Sequence, residues 1–425
     1  MSEIVTDRSR VLTYKRCKRM RFFQYHALGT GLRLRKLNLP TSIGTLIHRG
    51  RALLLEGLPL EKAIETTLLE FDESFHSKEI DLELNEDQLF VYEEQKAFVE
   101  AAIRVWFHIQ YPKVNGEYEV VTGGKIEHEK LIEPEINWYL TSPKLGEDHI
   151  TFMSRPDSIL RDRSTGAIVV DSFKTTSYNN IVVYNEEGEQ VDKNKYDDQG
   201  ISELIAVERL LGEEVEGIRM EFFVKGVRKK SAYTLPDGTK EKRKLQQSFL
   251  VHPWKKDLGI GGYEYACQWQ WNDETGAVKK LGKGWNRVDI WKEMTIKEWV
   301  DILLKDNYGD LENLFVVPMN YNRSLEDIEN WIDQTEYQER RAAKHIEALK
   351  SLEPSLCGPR ESETGKTYRK WLNQFFDQNR ENCYSFGRFC PFEGICWQGE
   401  KTTSSIYEKR EPHHSKELEL FQLSK

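Results

Sequence analysis

Apolar positions recur at helical spacing through the first quarter of the chain and shift to strand spacing in its middle. Leu12 to Leu28 predicts one or two short helices, stopped by Gly29-Thr30-Gly31. From Thr41 to about Glu56 the positions Ile43, Leu46, Ile47, Ala52, Leu53 and Leu54 form one helical face, with Thr41 or Ser42 as its cap. Leu60–Asp72 and Glu86–Ile109 predict two acidic helices, the second burying Phe90, Val91, Phe98, Ile103, Trp106 and Phe107. Tyr118–Val121 and Ile126–Tyr139 alternate as strands do. Asp157–Leu160 and Ala167–Phe173 then flank the turn-forming Arg161-Asp162-Arg163-Ser164-Thr165-Gly166, which predicts a β-hairpin. Asp198–Leu211 predicts a helix and Gly217–Val224 a further strand, followed by helices over Thr295–Lys305 and Leu325–Leu352.

Strand, helix, strand is the order of an α/β domain. At 425 residues the chain exceeds one average domain. The pattern divides it into a helical part over 1–115, a core over 116–226, an insertion over 227–290 and a helical C-terminal part over 291–425. The insertion is partly basic and carries Trp254, Trp269, Trp271 and Trp285, which suit packing and base stacking equally.

Charge changes the picture locally. The net charge is -9, which argues against a nucleic-acid partner, yet residues 1–51 carry twelve Lys and Arg against only Glu3 and Asp7. Tyr14, Phe22, Phe23 and Tyr25 are interleaved with that charge, a pairing that suits phosphate neutralisation with base stacking. No apolar run is long enough to span a membrane and residues 1–10 are polar, so a cytoplasmic protein with reduced thiols is expected.

Candidate chemistry gathers at the hairpin. Asp157 on its first strand, Asp171 and Lys174 on its second and Thr175-Thr176 beyond suit a hard divalent cation beside a phosphodiester. Six cysteines occur, at 17, 267, 357, 383, 390 and 396, the last three within a 14-residue segment. Their spacing lacks the short pairs of structural zinc, whereas iron–sulfur clusters accept wider spacings. Sequence alone leaves the fourth ligand open.

Taken together these residues resemble the RecB-like branch of the PD-(D/E)XK nuclease superfamily, in particular its iron–sulfur members such as AddB-type and CRISPR-adaptation nucleases and their phage relatives. The resemblance covers most of the chain. The G-x-x-x-H motif matches Gly44-Thr45-Leu46-Ile47-His48, the R-P-D strand Arg155-Pro156-Asp157, the K-T-T motif Lys174-Thr175-Thr176 and the following helix glutamine Gln199. The family's terminal cysteines match Cys17 with Cys383, Cys390 and Cys396. The resemblance implies a restriction-endonuclease-like mixed sheet flanked by helices, with a structural 4Fe-4S cluster on those four cysteines clasping the chain end to end. It implies Mg²⁺ or Mn²⁺ on His48, Asp157 and Asp171 or the Phe173 carbonyl, with Lys174 and Gln199 acting on the substrate. The activity implied is that of a DNA nuclease, in the first instance an exonuclease, working on a single strand or a duplex end.

One position departs from the pattern. The family places an acid two residues before the lysine, where this chain has Ser172, and Asp171 stands one place early. Side chains alternate along a strand, so Asp171 faces away from Lys174 and would reach a shared metal only through a bulge. A catalytically degenerate DNA-binding or assembly protein on the same fold is the competing expectation, and a zinc-bound structural protein a third.

Overall fold

The structure is a computed structural model that describes residues 3–35, 39–79, 86–123, 126–141, 148–176, 182–184, 190–192, 198–224, 233–234, 240–241, 269–271, 278–280, 315–316, 321–350, 363–385, 388–398, 406–412 and 414–423. Strand β1 (Glu3–Asp7) leads into helices α1 (Arg8–Arg16) and α2 (Lys18–Tyr25). Asp7 caps α1 by accepting the Arg10 N–H at 2.9 Å. Cys17 separates the two helices with an extended backbone, φ -164° and ψ 113°, which divides the helical stretch expected over 12–28.

After β2 (Leu32–Leu34), helices α3 (Leu39–Glu56), α4 (Leu60–Glu79), α5 (Glu86–Ile109) and α6 (Tyr111–Glu117) follow in sequence. The stop of α3 is local chemistry. Gly57 takes φ 105°, its N–H bonds the Leu54 carbonyl and the Leu58 N–H bonds the Leu53 carbonyl, a Schellman ending. The Lys130 ammonium binds the remaining carbonyls of Leu55 and Glu56 at 2.8 and 3.2 Å.

The sheet elements are β3 (Tyr118–Val120), β4 (Ile136–Tyr139), β5 (His149–Ser154), β6 (Ser158–Asp162), β7 (Ile168–Thr176), β8 (Val215–Val224) and β9 (Phe315–Val316), with α7 (Asp198–Leu211) between β7 and β8. The strand expected over 126–139 is two, Ile126–Lys130 and Ile136–Tyr139. Glu133 has φ 47° and precedes Pro134, which lacks an N–H for the ladder.

A five-stranded mixed sheet runs in the order β9-β8-β7-β6-β3, with β8 parallel to β7 and the other neighbours antiparallel. A three-stranded sheet, β1-β5-β4, lies alongside. Alternation on β7 divides the core. Val169 and Phe173 pack beneath α3, α4 and α5, while Ile168 and Val170 enter a second cluster with α7. The protein is therefore mixed α/β, with helices covering both faces of the larger sheet.

The C-terminal part comprises α8 (Leu325–Lys350), α9 (Glu363–Phe375), β10 (Tyr407–Lys409) and α10 (Ser415–Leu423). It is built onto the N-terminal part. Strand β10 pairs with β2, and Phe22 and Phe23 share a third core with Phe376, Phe392 and Tyr407. Arg10 and Arg410 both reach the Glu417 carboxylate, and both lie over the Tyr25 ring, 4.8 and 5.0 Å from its centroid.

These contacts correct the expected role of the basic segment. Arg10, Arg19, Arg21 and Arg51 are buried, and so are Tyr14, Phe22, Phe23 and Tyr25. Arg21 grips Glu339 of α8 through two bonds of 2.6 Å, and Lys18, Arg33 and Arg49 pair with Asp377, Glu408 and Glu70. Much of the positive charge is matched by acids remote in sequence, and these aromatic rings fill core rather than offer stacking faces. Of the insertion, two short strand pairs at 233–241 and 269–280 belong to the described residues. Trp254, Trp285, the side chains of Trp269 and Trp271 and the helix expected over 295–305 lie outside them. Among the described residues no helix is long and apolar enough to cross a membrane.

The Arg21–Glu339 pair is among the most buried contacts joining the two ends, with side chains 2% and 1% exposed. Glu339→Ala leaves a buried guanidinium with no anion and only a 3.4 Å bond from its Nε to the His26 ring, so unfolding free energy measured in urea is expected to fall by about 3–5 kcal/mol. A change under about 1 kcal/mol would mean that Arg21 finds another partner.

Candidate functional site

His48 and Asp157 meet although 109 residues separate them, the His48 Nδ1 lying 3.1 Å from the Asp157 Oδ1. Helix α3 brings the histidine. Its Gly44 sits where an added Cβ would stand 2.8 Å from the Thr175 Oγ1, so only glycine lets the helix approach β7 this closely. One helical turn later His48 packs edge-on against the Phe173 ring at 4.9 Å. Asp157 leads into β6 and accepts the Phe173 N–H through its other oxygen, Oδ2, at 2.6 Å. Both side chains keep limited solvent access, 19% and 17%.

Burial works to raise the Asp157 pKa. The charges of His48 and Lys174, with the hydrogen bonds from His48 and the Phe173 N–H, outweigh it and hold the carboxyl well below the usual range. Asp157 is therefore an anion at any ordinary pH, facing an imidazole with an ammonium close by. Among the described residues Lys174 forms no hydrogen bond or ion pair, which leaves its charge available. Gln199 stands in the first turn of α7, and its side chain lies outside the described residues.

Asp171 does not join this group. Pairing of β7 with β6 is regular through Ser158↔Asp171 and Ile159↔Val170, and its pairing with β8 is regular from Gly217↔Val169 to Val224↔Thr176. No bulge turns Asp171 toward Lys174. Its carboxylate is fully buried, bonded by the Arg51 guanidinium, by Arg219 Nη1 at 2.6 Å and by the Ser158 hydroxyl at 2.7 Å. Arg219 also bonds Glu221 at 3.0 Å, and Glu221 accepts the Trp106 indole N–H at 2.6 Å. The expected metal ligand is instead the centre of a buried ionic network, and Ser172 is fully buried as well. Sequence reading missed Arg51, Arg219 and Glu221. A signal existed: Arg51 interrupts the apolar face of α3, and Arg219 and Glu221 put two charges on one face of a run that is otherwise apolar from Gly217 to Val224.

The four cysteines at 17, 383, 390 and 396 line one cavity, with Arg19 and Gln378 among the other walls. The break at Cys17 turns its side chain out of the helical path. Donors already point at the sulfurs: Gln378 Nε2 to Cys396 at 2.9 Å, Trp397 Nε1 to Cys383 at 3.4 Å and the Asn379 N–H to Cys17 at 3.5 Å. Burial pushes the Cys390 and Cys396 thiols up, with Arg19 pulling Cys396 back. Among the described residues no three His, Cys, Asp or Glu side chains converge tightly enough to hold one metal ion. The four thiols share one cavity, and a cubane, which takes one thiolate on each of four irons, would fit such a donor set. At His48 and Asp157 the donors suit a hard cation that keeps several waters, the usual habit of Mg²⁺.

Compared with known proteins, the chain matches no protein-family model and no curated protein sequence.

Asp171→Ala is expected to lower stability by about 3–5 kcal/mol with EDTA present, because two guanidinium groups lose their shared anion. A ligand role would make the loss depend on added metal. The pH dependence has a definite sign. Burial opposes the Asp171 anion, but Arg51, Arg219 and Ser158 outweigh it and depress its pKa in the folded state. Its contribution is complete above the unfolded value of about 3.9 and is lost as pH falls through the lower folded value. Denaturation midpoints of wild type and variant should therefore converge in acid and stay apart at neutral pH.

Proposed function

We propose that the protein is a metal-dependent DNA nuclease of the RecB-like PD-(D/E)XK kind, with a restriction-endonuclease-like core and a structural 4Fe-4S cluster on Cys17, Cys383, Cys390 and Cys396. The observation that carries the proposal is the meeting of His48 with Asp157 beside Lys174, at the strand ends of a mixed sheet with helices on both faces. A carboxylate and an imidazole would hold Mg²⁺ or Mn²⁺, with the lysine beside them for the substrate. Bound there, the cation would supply Lewis acidity toward a phosphodiester oxygen and lower the pKa of a water.

The chain's own residues do the rest. Asp157 presents Oδ1 as an anion while the Phe173 N–H fixes Oδ2, so the carboxylate cannot rotate away. His48 is held in place by its contact with Phe173 and by the close seating of α3. Lys174 places positive charge where the pentavalent phosphate gathers its negative charge. Arg155 lies two residues before Asp157 and pairs with Glu133 at 2.9 Å. With 57% of its side chain exposed, Arg155 gains little from that pair and exchanges it readily for a backbone phosphate.

A second reading has its own support. With Asp171 locked between two arginines and a serine at 172, the centre has one acid fewer than the family's, as a catalytically degenerate DNA-binding or assembly protein would. Labelled single-stranded and duplex DNA, incubated with Mg²⁺ or Mn²⁺, separates the two. The nuclease is expected to cleave, with no activity in Asp157→Ala and a loss of about 10²–10³-fold in Lys174→Ala. Wild-type protein that binds DNA and cleaves none is the degenerate protein.

The cluster has a separate test. Cys390→Ala is expected to lose the brown colour and the broad band near about 400 nm in anaerobic preparations. Its stability should fall too, because ligand loss opens a closure spanning most of the chain. Retained iron in that variant would rule out Cys390 as a ligand.

A further inference from the structure

Arg19 stands out among the buried cations. It lines the cysteine cavity and is 5% exposed, yet among the described residues it has no carboxylate partner. Its Nε donates to the Phe376 carbonyl at 2.7 Å, and its Nη2 to Asn373 Oδ1 at 2.6 Å and the Leu372 carbonyl at 3.3 Å. All three acceptors are neutral. Nη1 makes no hydrogen bond among the described residues. Nearby Asp377 is paired with Lys18 at 2.7 Å. Arg10, Arg21, Arg51 and Arg219, equally buried, each hold an acid. A buried guanidinium without an anion is costly, and the end of α9 offers it only a fraction of a charge. The cavity it lines carries four thiols.

We propose that Arg19, assisted by the Gln378 amide, is the countercharge of an anionic iron–sulfur cluster in this cavity and thereby sets the cluster's reduction potential. The inference rests on the iron–sulfur reading of the four cysteines. Four thiolates leave such a cluster net negative, and one added electron makes it more so. A fixed positive charge in a desolvated wall favours the reduced form, and hydrogen bonds to the sulfurs act in the same direction. The Gln378 Nε2 bond to Cys396 at 2.9 Å is the shortest of the donors already aimed at a sulfur. A bland alternative is that Arg19 merely caps the carbonyls at the end of α9.

The test uses the full chain, purified anaerobically, with iron content, absorbance and a dithionite titration in which one electron passes from dithionite to the cluster. Arg19→Gln is expected to move the midpoint to more negative potential, raising the oxidised-to-reduced ratio at a fixed potential about tenfold or more, which is ~59 mV for one electron. Arg19→Lys should stay close to wild type. Gln378→Leu removes only the amide, buries no charge and should shift the midpoint in the same direction by less, so it serves if Arg19→Gln does not fold. If Arg19→Gln lowers the melting temperature but leaves iron content and midpoint unchanged, Arg19 is a helix cap and the proposal is wrong. If Arg19→Gln does not fold, an unchanged midpoint in Gln378→Leu overturns it likewise. Wild-type protein that binds zinc, or takes up no iron on anaerobic reconstitution, overturns the iron–sulfur reading and the inference with it.

Discussion

The carboxylate of Asp171, buried between two guanidinium groups, is the contact on which the geometry of the hairpin site depends. Arg51 reaches it from α3, Arg219 from β8 and the Ser158 hydroxyl from β6, so one anion ties three elements to β7. Ser158 follows Asp157 in the chain, and Arg51 lies three residues beyond His48 on the same helix. The network therefore holds both halves of the His48–Asp157 pair from beneath, without entering the site. Charges buried this deeply offset their desolvation only through close hydrogen-bonded geometry, which fixes how α3, β6 and β8 meet β7.

A second constraint closes the molecule end to end. The α2 aromatics, with Ala27 and Leu32, complete a core whose remaining members come from residues 349–407, and Arg21 crosses to Glu339. Strands β2 and β10 add backbone pairing. Cys17 already shares a cavity with Cys383, Cys390 and Cys396 in this packing, so a cluster there would reinforce a junction that apolar burial and buried ion pairs establish. The exposed rings of Tyr384, Phe389 and Trp397 each neighbour a cavity cysteine in sequence. They leave the cavity near the surface rather than deep in the core.

Some of this was legible in the chain. Helices 86–109 and 198–211 carry long apolar periodicities and were read with their ends in place, and Asp162 with Gly166 marked the hairpin turn that the structure contains. The period of two on β7 put Asp171 opposite Lys174, and the regular pairing keeps it there. Strands β1 and β5 were missed: β1 is short and pairs in parallel with a partner 146 residues away, and β5 is buried on both faces, which erases alternation. The basic N-terminal segment misled for a different reason. A run of charges shows its sign but not its partners, and Glu339, Glu408 and Glu417 lie more than 300 residues from Arg21, Arg33 and Arg10, which they bind.

Whether the paired His48 and Asp157 form a metal centre is tested most directly by electron paramagnetic resonance of Mn²⁺ titrated into the full chain. One bound Mn²⁺ per chain, with nitrogen coupling from an imidazole that disappears in His48→Ala, is the expected result. Binding without nitrogen coupling, or binding that survives both His48→Ala and Asp157→Ala, would contradict a metal centre at these residues.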